Sequence, residues 1–152
     1  MTGKGSLNHN SRKFHAKNTD PNRTHWNVEY CNEDIKDVYH ELFDDALKRY
    51  NDKQTRKDRK IDDYYEKIRS GKQEKLFHEV ILQIGDKDNM GSETMEGQLA
   101  AKILDEYMKG FQERNPTLRV FAAHLHLDEA TPHLHIDFIP YVTGSKRGLD
   151  TR

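Results

Sequence analysis

HLHLDEATPHLHIDF, residues 124–138, decides how the chain is read. The stretch holds four of the nine histidines in 152 residues, spaced as His-x-His, a polar loop, then Pro-His-x-His. Side chains alternate across a β-strand. A strand over 118–127 therefore sets Val120, Ala122, His124 and His126 on one face, with Phe121, Ala123 and Leu125 on the other. A second strand over 133–142 sets His133, His135, Asp137 and Ile139 against Leu134, Ile136 and Phe138. With 127–132 as a hairpin loop, the imidazoles of both strands gather on one side, and the apolar side faces helices.

Imidazoles crowded on one surface repel when protonated and waste burial when neutral. A divalent cation resolves both, because neutral imidazole is a good ligand. Three histidines leave coordination positions open, as a catalytic metal requires. Alternation alone does not choose them. His126, His133 and His135 can serve, and so can His124, which can sit across from His135.

Working outward, THWNVEY (24–30) alternates Trp26, Val28 and Tyr30 as a short strand. Asn32 can cap a helix whose apolar positions run from Ile35 to Tyr50, with Glu33 and Asp34 at its positive end. A more charged helix is predicted over 53–69, ended by Gly71, and FHEVILQIG (77–85) is a buried strand. Ser92 or Thr94 opens a third long helix to about Arg114, with Met95, Leu99, Ile103, Leu104, Tyr107, Met108 and Phe111 as its core face, stopped by Asn115-Pro116. Residues 1–25 are expected to be irregular apart from a short helix near 9–16. Strands near 24–30, 77–85, 118–127 and 133–142 with helices between them give an α+β fold: an antiparallel sheet with helices packed on one face and the other open.

Composition excludes several classes. The lone Cys31 allows neither a disulfide framework nor a multi-cysteine zinc site. No apolar run approaches the roughly 20 residues of a membrane span, and MTGKGSLNHNSRKFH has no secretory-signal core. Net charge is −1, but it is unevenly spread: 1–25 carries five basic residues against one acid, and 46–75 eleven against six. Two basic zones on a near-neutral chain fit a phosphate-binding surface.

His126-Leu127-Asp128-Glu129-Ala130-Thr131-Pro132-His133-Leu134-His135 closely resembles the third motif of the MobV (Mob/Pre) relaxases, plasmid mobilisation proteins of the HUH endonuclease superfamily. Leu7-Asn8-His9-Asn10-Ser11-Arg12 resembles the family's first motif, and Asp20 to Tyr30 the segment around its second, in family order. Two features depart from the pattern: Asn27-Val28-Glu29-Tyr30 stands where the second motif usually reads Asn-Tyr-(Asp/Glu)-Leu, and His124 is an extra histidine.

The resemblance implies an HUH relaxase-like sandwich over 1–144, with 145–152 as the start of a linker to a further C-terminal region. It implies metal-dependent nicking and rejoining of one DNA strand at a transfer origin, with His9 as nucleophile and a covalent 5′-phosphoramidate. His126, His133 and His135 would hold the metal, with manganese first and magnesium, zinc, nickel or cobalt as alternatives. Arg12 and Glu129 join His9 as catalytic residues, and Asn10, Arg12, Arg23 and Asn27 are the expected DNA contacts. The implied partner is origin DNA, single-stranded at the nick with an adjacent hairpin, in the bacterial cytoplasm; dimerisation would run through the C-terminal region. The competing readings are a tyrosine-dependent HUH replication initiator using Tyr64 or Tyr65, a metal phosphodiesterase, and a non-enzymatic metal-stabilised DNA-binding module.

Overall fold

In chain order the elements of the computed structural model are β1 (Thr2–Gly3), α1 (Leu7–Asn10), β2 (Val28–Asn32), α2 (Ile35–Asp52), α3 (Tyr64–Ser70), β3 (His78–Gln83), α4 (Met95–Lys109), α5 (Phe111–Arg114), β4 (Leu118–His126) and β5 (His133–Pro140). Turns of 3-10 helix lie at Pro21–Trp26 and Lys57–Arg59. The structure describes residues 2, 3, 5–86, 88–142 and 149. Most of the expected linker, 145–148 and 150–152, lies outside them; Leu149 packs against the core.

The strands form one antiparallel sheet in the order β1-β3-β5-β4-β2. The hairpin β4–β5 sits inside it, so every histidine on it is flanked by paired backbone. His124 stands opposite His135, and His126 opposite His133. The α+β antiparallel architecture expected from the sequence is the one the chain adopts.

Helices nevertheless cover parts of both faces. On one, Leu104, Met108 and Phe111 of α4 and α5 pack on Val120, Ala123, Leu125, Leu134 and Ile136. On the other, Val38, Tyr39 and Phe43 of α2 and Tyr64 and Ile68 of α3 cover Phe77, Phe121, Ala122 and Ile139. The histidines share that second face and occupy the part the helices leave open. A β-bulge between Val120 and Ala122 creates the second core. Strict alternation assigns Val120 to the histidine face and Phe121 to the other. The extra residue reverses both, so Phe121 joins Ala122 under α2 and α3. Phe121 is fully buried, and its ring meets Phe77 edge-on at 5.5 Å.

Local chemistry explains where the other elements differ from expectation. The expected strand at 24–30 begins only at Val28, because Pro21 and the Asp20 side chain, which accepts from Asn22 N, start a 3-10 turn instead. Likewise α2 is capped by Asp34 rather than Asn32, its carboxylate accepting from Lys36 and Asp37. The helix predicted over 53–69 shrinks to Tyr64–Ser70. Upstream of it, Asn51 bonds both backbone groups of Ile61, and Asp63 caps the late start. The third long helix breaks at Gly110.

The expected core face of that helix is right only in part: Leu104, Met108 and Phe111 are buried as expected. Gly97, Ala100, Leu104 and Met108 are buried, whereas Met95, Leu99, Ile103 and Tyr107 are 83%, 58%, 47% and 40% exposed. Gly97 explains the choice: it lies against the backbone of Gly91 and Ser92 where a Cβ would collide, so the small-residue side makes the closest approach.

Candidate active site

The loop joining β4 to β5 is fixed on several sides. Asp20 N donates to the Asp128 carbonyl at 2.6 Å, Leu127 N to Asn27 Oδ1 at 2.7 Å, and Ser92 N to the Ala130 carbonyl at 3.2 Å. Asp128, Glu129, Thr131 and Pro132 are buried in consequence. Satisfied backbone of this kind makes a rigid platform rather than a hairpin tip.

Each hairpin imidazole on this platform has one nitrogen committed to an acceptor behind it. His126 Nε2 donates to the Asn10 carbonyl at 2.7 Å, and His133 Nδ1 to the Thr131 carbonyl at 2.7 Å. His135 Nδ1 faces Glu79 Oε2 at 3.3 Å. These acceptors assign two tautomers and leave lone pairs on His126 Nδ1 and His135 Nε2, whereas His133 Nε2 faces Gln83 Oε1 at 3.1 Å. His126 Nδ1 and His135 Nε2 are both buried without a hydrogen-bond partner. A buried nitrogen lone pair without a donor costs free energy unless something fills the role. A divalent cation would fill it, and the acceptors behind the rings would supply the outer support such sites use.

Glu79 anchors that outer layer. Its carboxylate accepts from the Asn10 side chain as well as from His135, while Asn10 Nδ2 lies 3.2 Å from Asp137 Oδ2. Gly5 passes so close that a Cβ there would overlap Glu79 and Asp137. Burial and the neighbouring Glu79 charge raise the Asp137 carboxyl far above the usual range. Burial also opposes ionisation of Glu79, but bonds from His135 and Asn10 outweigh it and hold Glu79 low. The pair therefore carries one charge, placed behind His135.

α1 brings the N-terminal residues to the same place. Ser6 caps it, and the Asn10 carbonyl binds His126 directly. The His9 ring lies 6.0 Å from His126 and 6.5 Å from His135 between centroids. Its Nε2 accepts from Arg12 Nη1 at 3.1 Å and lies 3.6 Å from Glu129 Oε1. Burial and the Arg12 charge lower the His9 pKa, and burial lowers that of His133, so both are neutral near neutral pH. Burial raises Glu129 too, but His126 and Arg12 outweigh it and keep the carboxylate ionised. His9, Ile81, Gln83, Glu129, His133 and His135 line an open cleft of about 440 Å³. Among the described residues, the group whose ligand atoms all lie within 4.8 Å of one another is His9, His126 and Glu129, not the expected His126, His133 and His135.

The nine side chains expected at the site fall into two sets. His9, Glu129, His126, His133 and His135 converge on the cleft. Of the four expected DNA contacts, Asn10 and Arg12 have their polar ends taken up by buried acids. Asn10 is 2% exposed, with its amide held by Glu79 and Asp137. Arg12, whose side chain is 6% exposed, forks onto Asp128 through Nε at 2.9 Å and Nη2 at 2.6 Å, and reaches Glu129 at 2.8 Å. Arg23 pairs with Asp20 and Glu93, and Asn27 holds Leu127. Asn10 and Arg12 brace the site through those buried acids, whereas the acids on Arg23 are more exposed and Asn27 Nδ2 is buried without a hydrogen-bond partner. His124 stands aside, its Nε2 on Glu29 at 3.0 Å. Tyr64 lies inside the α2–α3 core at 6% exposure, and Tyr65 packs edge-on against Tyr39.

Sequence reasoning missed Glu79 and Asp128. Glu79 carried a signal, as the acid within a strand read as buried. Asp128 sat in the quoted stretch, but its partners Arg12 and Thr24 lie over a hundred residues away.

The Mob_Pre family, described as plasmid recombination enzyme, matches residues 4–150. No curated protein matches the chain. Among solved structures the chain is similar to the MobM relaxase domain (MOBV; Mob_Pre) bound to plasmid pMV158 oriT DNA of 22 nucleotides, Mn-bound at pH 5.5. The identity is 28% and the TM-score 0.54, over 96% of this chain and 69% of that one. A second form of that domain, with a 3′-thiophosphate on the DNA and Mn-bound at pH 6.8, matches at 25% identity and TM-score 0.50 over the same shares.

Proposed function

The chain belongs to the Mob_Pre family and is a DNA relaxase of the MobV type, and from that premise we propose that it nicks and rejoins one DNA strand at a plasmid transfer origin through a covalent bond to His9. The observation that supports this best is the arrival of His9, from the first helix, against histidines more than a hundred residues later, at a cleft open to solvent.

The chemistry follows from the groups in place. Donation from Arg12 keeps the lone pair of His9 on Nε2, the nitrogen nearest Glu129. A neutral imidazole attacks phosphorus without first losing a proton. The P–N bond forms as the P–O3′ bond breaks; the leaving O3′ takes up a proton, and the His9 Nδ1 proton is released to solvent. Positive charge grows on the ring as it attacks, and the Glu129 carboxylate is placed to stabilise it. The Arg12 Nη1 on Nε2 stands where a phosphate must approach and can pass to its oxygen. Reversal, with O3′ attacking the phosphoramidate, rejoins the strand.

His126, His133 and His135 would hold manganese, and the chemistry it would supply is withdrawal of charge from the non-bridging phosphate oxygens. The chain's own contribution is to turn the lone pairs of His126 Nδ1 and His135 Nε2 forward, through Asn10 and Glu79. Residues 1–144 would form the nuclease unit and 145–152 the start of a linker. The substrate would be origin DNA, single-stranded at the nick beside a hairpin, with the basic zone at 48–75 along its backbone. No helix among the described residues is long and apolar enough to cross a membrane; on a plasmid substrate the reaction would run in the bacterial cytoplasm.

The test is a supercoiled plasmid carrying the origin that flanks this reading frame, incubated with Mn²⁺. Nicking and a covalent adduct mapped by mass spectrometry to His9 are expected. Both disappear in His9→Ala while Mn²⁺ binding persists. An adduct that survives His9→Ala and vanishes in Tyr64→Phe or Tyr65→Phe overturns the proposal.

A further inference from the structure

Phe14 is a large apolar side chain that neither core takes up. It is 49% exposed. One exposed aromatic is ordinary on a protein surface, but the position of this one is not. Its ring lies 5.7 Å from the His9 ring between centroids, tilted by 46°. The backbone is bent to put it there. Arg12 adopts φ 55, a left-handed conformation that costs a non-glycine residue free energy. Arg12 N then bonds the His9 carbonyl at 3.1 Å and Lys13 N the Asn8 carbonyl at 2.9 Å, which folds the chain back over α1.

The segment that follows is Lys13-Phe14-His15-Ala16-Lys17, with Lys13, Phe14, His15 and Lys17 all exposed. Proteins that hold single-stranded nucleic acid combine cations for the phosphates with an aromatic face for a base. This segment has both, one ring away from His9.

We propose that Phe14 is a base-stacking subsite: the nucleobase adjoining the scissile phosphate lies on its exposed face, with Lys13 and Lys17 beside the neighbouring phosphates. The subsite takes any single-stranded nucleotide with a π face. It fixes the strand's position relative to His9 and reads little sequence. The inference rests on the relaxase reading above.

The test uses the whole chain in EDTA, so that no strand is cleaved, and single-stranded origin oligonucleotides with 2-aminopurine or an abasic nucleotide at each position around the nick. With wild type, 2-aminopurine is quenched at one position adjoining the scissile phosphate, and an abasic nucleotide there weakens binding. Phe14→Ala and Phe14→Leu lose the quench and bind the intact strand about 5- to 150-fold more weakly, the range of one base–aromatic stack. Both bind the abasic strand as wild type does. Phe14→Leu keeps apolar bulk against His9 without a π face, and Phe14→Trp restores both quench and affinity. An abasic penalty as large in Phe14→Leu as in wild type overturns the subsite. Nicking by wild type in Mn²⁺ is scored separately, so the relaxase reading can stand while the subsite fails.

Discussion

Replacing Asp128 by alanine removes the centre of the site's bracing. The carboxylate is fully buried and accepts two bonds from Arg12, at 2.9 and 2.6 Å, and one from Thr24 Oγ1 at 3.1 Å. Breaking a buried ion pair by deleting one partner costs about 3–5 kcal/mol, because the other charge is stranded. Arg12 keeps Glu129 at 2.8 Å, which puts the cost near the lower end. The lost Thr24 bond adds about 1 kcal/mol. Asp128→Ala should therefore lose about 4 kcal/mol, and at about 2–4 °C per kcal/mol for a chain of this size its Tm should fall by about 8–16 °C. Arg12→Ala strands Asp128 and should lose about 3 kcal/mol. The double variant strands neither and should lose less than about 4 kcal/mol, well short of the sum. Urea unfolding of the four proteins at equal m-value measures the coupling. If the two single losses add to within about 0.5 kcal/mol, Arg12 and Asp128 act independently and the bracing argument is wrong.

Phe121→Ala should cost about 3–5 kcal/mol in urea unfolding, as expected for a fully buried phenylalanine. Cys31, pushed up to about 11 by burial and the nearby Glu33, should react slowly with iodoacetamide at pH 7, the rate rising about tenfold per pH unit until near 11; a fast reaction at pH 7 contradicts that environment. A hydrogen bond from Arg119 holds the Glu33 carboxyl below its ordinary value. The unfolded chain thus binds that proton more readily, so the pair's stabilisation is present above the ordinary carboxylate pKa and fades as pH falls through the lower folded value. Because both groups are partly exposed, Arg119→Ala should cost no more than about 1 kcal/mol at pH 7. The cost should shrink toward pH 3, as urea unfolding at the two pH values will show.

Much of the centre was legible because it is periodic. Alternation over 133–139 placed the histidines opposite the apolar core residues, and that assignment describes β5 as it stands. It misplaced Val120 and Phe121, because a bulge leaves no mark in a two-residue period. The inward face of α4 was misread at Met95, Leu99, Ile103 and Tyr107, though not at Leu104 and Met108, because the helix carries two apolar stripes. Which one turns inward depends on the small residues Gly97 and Ala100 rather than on hydrophobicity. Asn10 and Arg12 looked free because whether a polar side chain is satisfied depends on acids far along the chain: Glu79, Asp137 and Asp128. The motif resemblance supplied His9, which no local pattern in a polar N-terminus distinguishes.

The bulge at Phe121 gives β4 an unusual tolerance. Upstream Val120 pairs with Phe138, and downstream Ala122 pairs with the very next partner, Asp137, so Phe121 is a residue the ladder does not count. Deleting any other residue between here and the loop would turn the strand over and send the histidines after the deletion toward α4. Deleting Phe121 leaves the β4–β5 pairings as they are and removes the filling beneath α2 and α3, together with the bond from Glu33 N to the Phe121 carbonyl. At this single point the strand can change length, and the core its volume, while the imidazoles keep their places.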